Sequence, residues 1–324
     1  MYSADALELY GLSELESALP EPAHSACVVG EITAQAAAQT GLLAGTPVAS
    51  GLHDVTASAL GIGAHRADVL GIVAGTYAIN ECVSTAPRTH AGWFCRNAVE
   101  PGQWNNMAIS PASTTNYNWF LDTLCAQEQR NAQISVHALL APEIDAALAR
   151  PSSILYHPYL YGSPMGAAPS AGFLGLRGWH NRGDLLAAVL EGIVFNHRQH
   201  VDVLRDNFAP QFARLTGGAS RNRAVAQLFA DVLNMPVTVT ETDEAAARGA
   251  ALCAGAAVGV FTRFDDDPRD HLVHAHEYLP SPESSAHYEH RYAVYREVGD
   301  TLSCTWDRLN HLETLHRGVA PGRD

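Results

Sequence analysis

Between residues 31 and 61 the pattern of apolar and polar positions changes period twice. "EITAQAAAQTG" has the spacing of a small-residue helix, "GTPVASGL" is a short apolar run bounded by glycines, and "DVTASALG" returns to the helical period. The expectation is helix, buried strand, helix. From 68 to 110 the runs shorten to "DVLGIVAGTYAINECVST", "WFCRNAV" and "WNNMAIS", broken by Gly, Pro and Asn, which predicts a meander of antiparallel strands. Helical patterns follow near 114–126 and 132–149, and "SILYHPYLYGSPMGAAPSAGFLGL" then predicts a structured loop flanked by strands. The longest helical pattern is "RGDLLAAVLEGIVFNHRQHVDVLRDNF" (182–208). After it, "QFARLTGGAS", "RNRAVAQLFADVLN", "MPVTVTE" and "TDEAAARGAALCAGAAVG" alternate as strand, glycine turn, helix, strand, helix, the order of an α/β layer structure. The remainder predicts a long C-terminal helix with a polar tail, and no repeat of fixed period or low-complexity block interrupts the chain.

Composition narrows the chemistry. The 324 residues, 47% of them hydrophobic, suffice for one large domain or two ordinary ones with a sizeable core. The net charge of −14 opposes long-range attraction to nucleic acid or anionic membranes, yet leaves room for a local arginine-lined anion pocket. All twenty basic residues are Arg. Without a lysine amine, a Walker-type phosphate loop, a Schiff-base aldolase and a pyridoxal-phosphate enzyme are excluded, so any phosphate must be held by backbone N–H groups, Arg or metal. Six cysteines, at 27, 82, 95, 125, 253 and 304, form no CxxC pair, which fits reduced thiols in a cytoplasm. "MYSADALELYGL" lacks the basic start and apolar core of a signal peptide, and "GAALCAGAAVGVF" (249–261) is too short to span a bilayer; neither export nor a membrane segment is expected.

Three features could carry chemistry. In "LTGGASRNRAVAQLFADVLNMPVTVTETDEAAARGAALCAG" (215–255) a strand ends in Gly217 and Gly218, which let the backbone approach a ligand closely, and a helix starts near Arg221 or Asn222 with its positive end facing the same space. That suits a phosphate or nucleotide, though a bare Gly-Gly also makes a plain β-turn-α connection. In "ASGLHDVTASALG" (49–61) Asp54 stands among small and apolar residues at a strand-to-helix junction, either as a helix cap accepting the N–H of Thr56 or Ala57 or as a functional carboxylate. Histidines gather at "HRQH" (197–200), "HLVHAH" (271–276) and "HYEHR" (287–291), but none has HExxH or Cys₂His₂ spacing, and solvated faces explain them better than zinc.

The order of motifs in 215–255 resembles the C-terminal signature of the FGGY carbohydrate kinases: a GGA/S turn (Gly217, Gly218, Ala219), then Asn222, then Q-x-x-A-D-V (Gln227, Ala230, Asp231, Val232), a P-V strand (Pro236, Val237) and E-x-x-A-x-G-A-A (Glu244, Ala247, Gly249, Ala250, Ala251). Upstream, "SGLHD" is similar to the Gly-x-x-Asp with which a family strand ends in the cleft between two lobes, and "GTYAINE" to the Gly-Thr hairpin that follows it. The resemblance implies an α/β, ribonuclease-H-like (actin-like ATPase) fold. It further implies that Asp54 is the general base toward a sugar hydroxyl, that Gly75 and Thr76 contact the ATP phosphates, and that Gly217, Gly218, Ala219 and Asn222 line the adenosine part. His53 either orients a sugar hydroxyl or fills the strand end, and Ile79 either touches the sugar or is ordinary core. Glu244 and Gly249 are expected in helix capping and close helix packing. "PYLYGSP" (158–164) departs from the family's P-Y-L-x-G-E-R-x-P, with Ser163 where Glu is usual and the Arg missing.

A complete family member carries an Asp-x-Gly-Thr hairpin near its N-terminus, and this sequence has none. The resemblance therefore implies residues 1–64 as the remaining tail of the sugar-binding lobe and 65–324 as the ATP-binding lobe. The implied function is ATP- and Mg²⁺-dependent phosphorylation of a sugar or polyol hydroxyl, with "GEITAQAAAQTGLLAGTPVASGLHD" and "SPASTTNYNWF" most like the L-xylulose and 3-keto-L-gulonate branch. The alternative is a non-catalytic nucleotide-binding or dimerising module derived from a truncated kinase. A homodimer and a separate N-terminal lobe are both open as partners, and a metal-dependent hydrolase built on the histidines is a third, weaker reading.

Overall fold

The computed structural model describes residues 2–131, 133–163, 169–240, 242, 244–264 and 275–317. It divides into two compact units, one of Met1–Gly61 with Glu244–Asp270 and one of Ile62–Asp243 with His271–Asp324. The boundary between the units falls at 61/62, and a later segment, 244–270, groups with the first residues.

In the small unit, helix α1 (Ala4–Leu9) precedes strand β1 (Val28–Glu31), helix α2 (Ala34–Thr40), strand β2 (Pro47–Ala49) and helix α3 (Asp54–Gly61). The helix-strand-helix order of 31–61 is present, but β2 is largely exposed rather than buried. It pairs only with β1, itself exposed throughout, and a two-stranded ribbon has no sheet to bury its faces. Among the described residues, most of what this unit buries lies on α3 and helix α9 (Ala245–Ala257), which pack together. A Cβ at Gly249 would sit 1.8 Å from the Ala57 carbonyl oxygen, and one at Gly61 would sit 1.9 Å from that of Ala245. Only glycine permits this backbone approach, so Gly249 has the close-packing role expected of it. Glu244 occupies the N-cap of α9, but its side chain makes no capping bond.

The large unit is built on a seven-stranded sheet. Strands β3 (Val69–Ala74), β4 (Ala78–Ser84), β5 (Phe94–Asn97) and β6 (Trp104–Ser110) come from the region expected to be a meander. Helices α4 (Thr114–Leu124), α5 (Ala126–Asn131) and α6 (Val136–Leu148) follow, then the antiparallel pair β7 (Leu155–His157) and β8 (Gly172–Leu174) around the expected loop. Helix α7 (Arg182–Arg205), strand β9 (Phe212–Thr216), helix α8 (Arg223–Leu233), strands β10 (Val237–Val239) and β11 (His276–Tyr278) and helix α10 (Pro282–Arg317) complete it. The sheet order is β11-β10-β9-β3-β4-β6-β5, parallel across β10, β9 and β3 and antiparallel elsewhere. The meander expectation fails at one place: β6 pairs with β4, and β5 lies outside β6 at the edge. Exposure explains this, since Phe94 and Asn97 of β5 are open to solvent whereas β6 is nearly all buried.

The central strand β3 reads "VLGIVA" and is almost wholly buried, as a parallel strand covered on both faces should be. Helix α7 starts at a capping box formed by Asn181 and Asp184 and packs on β4, β6, α6 and α8. Its Phe195, with Phe120, Phe229 and Tyr295, is fully buried in the core. No helix among the described residues is long and apolar enough to cross a membrane.

Candidate functional site

Strands β3 and β9 are parallel neighbours, with Val73 opposite Thr216, so the turns that follow them leave the same end of the sheet side by side. After β3 the chain turns through Gly75, Thr76 and Tyr77 into β4, closed by Gly75 N–H donating to the Tyr77 carbonyl (3.3 Å). After β9 it passes through Gly217, at φ +96°, into a 3-10 turn over Gly218–Arg221. A Cβ at Gly217 would meet the Ala74 carbonyl oxygen at 2.6 Å and Gly75 N at 3.0 Å. Gly217 is therefore what lets the two turns touch, through both its positive φ and its missing side chain. At Gly75 and at Gly218 a Cβ would meet no atom within 4 Å, so both turns keep an open face.

Two helices begin at these turns. The backbone N–H (3.1 Å) and hydroxyl (2.6 Å) of Thr114, the first residue of α4, both donate to the Gly75 carbonyl, which ties the positive end of that helix to the hairpin. Helix α8 starts at Arg223, just beyond the expected Arg221 or Asn222, because the 3-10 turn intervenes. Asn222 is its N-cap, with Oδ1 accepting from Ala224 N–H (2.9 Å) and Val225 N–H (3.4 Å). Between these elements lies a cavity of about 630 Å³ whose walls include Gly218, Ala219, Asn222, Thr114, Tyr117 and His137. The rings of Tyr117 and His137 stack at 5.8 Å. The volume suits a nucleoside-sized ligand. Sequence reasoning identified the glycine wall but not Thr114, Tyr117 or His137. The motif "SPASTTNYNWF" held the first two, yet the stretch around His137 has no local signal.

In the small unit, Asp54 is the first residue of α3, and its side chain is 83% exposed. It does not cap the helix in the expected manner: Oδ1 accepts from the adjacent Val55 N–H (2.8 Å) and lies 3.3 Å from His53 Nδ1, while Ala57 N–H donates to the His53 carbonyl (2.8 Å). A carboxylate at a helix start, beside an imidazole and open to solvent, is available to act on a bound hydroxyl. Ile79, by contrast, is buried in β4 between Val73 of β3 and Ile109 of β6, which is the surroundings of a core residue.

The remaining signature residues are structural. Gln227 Nε2 donates to Asp231 Oδ1 (3.1 Å) and to the Leu279 carbonyl (2.9 Å), and Ser281 N–H donates to the same Asp231 oxygen (2.8 Å). The polar pair of Q-x-x-A-D-V thus ties α8 to the start of α10. In the "PYLYGSP" loop, Tyr159 is buried and its hydroxyl bonds Gln199 (3.3 Å) and Tyr295 (3.1 Å), whereas Pro164 lies outside the described residues.

Solvated faces were the expectation for the histidines, and at "HRQH" this is wrong. His197 and His200 are buried, one helical turn apart on the core side of α7, and the single amide of Asn80 serves both rings (3.0 and 2.9 Å). Burial holds both imidazoles neutral, His200 pushed down to about 4. His287 and His290 are exposed, and most of "HLVHAH" lies outside the described residues. Among the described residues no three or more His, Cys, Asp or Glu gather as a metal cluster would.

Comparison with known proteins places the chain in one family. The model of the C-terminal domain of the FGGY family of carbohydrate kinases matches residues 70–258, and that of its N-terminal domain matches residues 1–61. The L-xylulose/3-keto-L-gulonate kinase of Escherichia coli (strain K12) is 33% identical over 292 residues, which are 89% of this chain and 57% of that protein. The erythritol kinase of Brucella abortus (strain 2308) is 30% identical over 95% of this chain and 62% of its own length. The solved xylulose kinase of Rhodospirillum rubrum superposes with a TM-score of 0.77 at 29% identity, covering 93% of this chain and 60% of that one. The chain thus spans about three fifths of the length of the relatives it matches. A fold likeness to the Lactobacillus acidophilus xylulose kinase (TM-score 0.81, 22% identity, 95% of this chain and 62% of that one) agrees with the expected actin-like ATPase architecture. Motifs, fold and matches give one conclusion: the chain belongs to the FGGY family of carbohydrate kinases.

Proposed function

We propose that the protein binds ATP at the paired turns of the large unit and takes part in phosphorylating a hydroxyl of a ketose, keto-sugar acid or polyol. The observation that carries this reading is the contact between the Gly217 turn and the Gly75 hairpin, with open faces at Gly75 and Gly218 beside a nucleoside-sized cavity. The hairpin and the start of α4 suit the phosphates, and Gly218, Ala219 and Asn222 suit the adenosine. Mg²⁺ would arrive on the phosphates, which need only one or two carboxylates from the protein, and when bound it neutralises their charge.

Asp54 is the base in this reading: its exposed carboxylate accepts the hydroxyl proton as the oxygen attacks the γ-phosphorus and the bond from that phosphorus to the β,γ-bridging oxygen breaks, releasing ADP. His53 helps to orient that hydroxyl. Ile79 contributes to the sugar side only through what little surface its burial leaves. The similarity to L-xylulose/3-keto-L-gulonate kinase and erythritol kinase makes L-xylulose, 3-keto-L-gulonate and erythritol the first substrates to try.

The test is ADP formation by the purified chain with each of these substrates, run beside calorimetric titration with Mg–ATP. Asp54→Asn should abolish turnover at least a hundredfold and leave ATP affinity unchanged. Near-normal turnover in that variant sinks the base assignment. ATP binding with no ADP formed from any substrate favours the second reading, a nucleotide-binding or dimerising module, or a partner polypeptide supplying further FGGY N-terminal residues. That reading has its own support in the exposed, apolar β1–β2 ribbon.

A further inference from the structure

Helix α7 carries a polar side chain, Asn196, that is fully buried and does not line the cavity beside the Gly217 turn. Its Nδ2 donates to Ser110 Oγ (3.0 Å) and to the Ala112 carbonyl (3.0 Å). A carbonyl can only accept, so the atom facing Ala112 is the amide nitrogen, and both of its hydrogens are engaged. Oδ1 is buried without a partner. An unpaired buried acceptor is destabilising, so packing alone does not explain an amide here; the two bonds it makes to the link between β6 and α4 do.

That link supports the Gly75 hairpin from behind. Ser110 ends β6 opposite Ala78, the first residue of β4. Beyond Ala112, Thr114 donates its N–H and hydroxyl to the Gly75 carbonyl, and the Thr115 hydroxyl shares its proton between the carbonyls of Pro111 (3.1 Å) and Thr76 (3.5 Å). Both hairpin carbonyls are therefore turned toward the start of α4. The peptides are trans, and in a trans peptide the N–H points opposite the carbonyl. The N–H groups of Thr76 and Tyr77 are accordingly turned away from α4, as two successive donors suited to phosphate oxygens.

We propose that Asn196 is a positioning residue for the nucleotide phosphates. By fixing Ser110 and Ala112 it holds Thr114 and Thr115 in place, and these set the orientation of the Thr76 and Tyr77 N–H groups. The proposal rests on the reading of the Gly75 hairpin as the phosphate site.

Calorimetric titration of the full chain with Mg–ATP and with adenosine, which has no phosphate, tests it. Asn196→Leu should weaken Mg–ATP binding at least tenfold and leave adenosine affinity within about twofold; Ser110→Ala, which removes one of the two bonds, should weaken Mg–ATP roughly threefold. The control is Asn106→Leu. Asn106 is buried toward the other end of the same strand pair, opposite Cys82, with Nδ2 donating to the Cys82 carbonyl (3.2 Å) and Ser84 Oγ (2.9 Å) and Oδ1 likewise unpartnered. Its loss should change neither affinity. If Asn196→Leu does not fold, Ser110→Ala against Asn106→Leu carries the same test. Mg–ATP affinity unchanged in the Asn196 and Ser110 variants overturns the proposal and leaves the nucleotide reading intact. Equal loss for adenosine, or equal weakening by Asn106→Leu, overturns it too, since either means a general loosening of the large unit. No Mg–ATP binding by the unmodified chain overturns the nucleotide reading and this proposal together.

Discussion

A side-chain carbon at Gly249 would lie 1.8 Å from the Ala57 carbonyl oxygen in the small unit, and one at Gly217 would lie 2.6 Å from that of Ala74 in the large unit. Both glycines come from the same signature segment, and both exist because backbone meets backbone. Their surroundings differ. Gly249 is helical, buried and pressed on α3. Gly217 has φ +96° and joins two turns whose outer faces are open at Gly75 and Gly218. A glycine signature in sequence therefore mixes two physical demands, close packing and access, and only the neighbours of each residue separate them.

The contrast breaks most visibly under paired substitution. Gly249→Val should cost about 4 kcal/mol or more, because α3 and α9 must separate to admit the side chain. Protection from hydrogen exchange in α3 and α9 should fall while Mg–ATP affinity is kept. Gly217→Ala should cost about 3 kcal/mol, combining a positive-φ penalty with the clash at Ala74, and should lower Mg–ATP affinity at least tenfold. Loss of nucleotide binding in the Gly249 variant, with the large unit still folded, would erase the distinction between the two glycines.

A second contrast lies in the carboxylates. Asp54 of the small unit is open to water, whereas Glu81 of the large unit is buried in β4, with Asn105 Nδ2 donating to Oε2 and Oε1 left without a partner. Desolvation raises the Glu81 carboxyl from 4.5 to about 7, against the opposing effects of Asn105 and Arg96. The folded state thus holds a proton that the unfolded state has released, so stability falls as pH rises from about 4.5 to about 7 and is level above that. The loss should be about 3 kcal/mol. Glu81→Gln should flatten this part of the pH profile in denaturant titrations and make the variant the more stable protein at pH 8. An unchanged slope in the variant would place the titrating group elsewhere.

Much of this was legible in the sequence because it depends on local order. The α/β alternation and the Gly217–Gly218 turn follow from neighbouring residues, whereas the Gly75–Thr76 hairpin and the packing role of Gly249 were expected through the family resemblance. What escaped depends on partners far along the chain. β5 takes the sheet edge through pairing with β6, His197 and His200 are satisfied by Asn80 from β4, and His137 reaches the cavity by the packing of α6. β2 has the apolar composition of a buried strand and is exposed because only β1 covers it, which no reading of its own residues reveals. Asp54 was read in two ways, and its geometry disfavours the cap without demonstrating the base.

The smallest expected effect separates two duties held by one side chain. Asn222 caps α8 through Oδ1, while the residue also lines the cavity and has Nδ2 to offer a nucleotide. Asn222→Ala should lose about 1 kcal/mol of stability and weaken Mg–ATP binding several-fold. Asn222→Ser replaces the capping oxygen but not the amide donor, so it should recover the stability and leave the affinity low. If serine restored both, the residue would serve the nucleotide only by holding the start of α8 in place, and the large unit's turn would depend on packing in the same way as Gly249 does in the small unit.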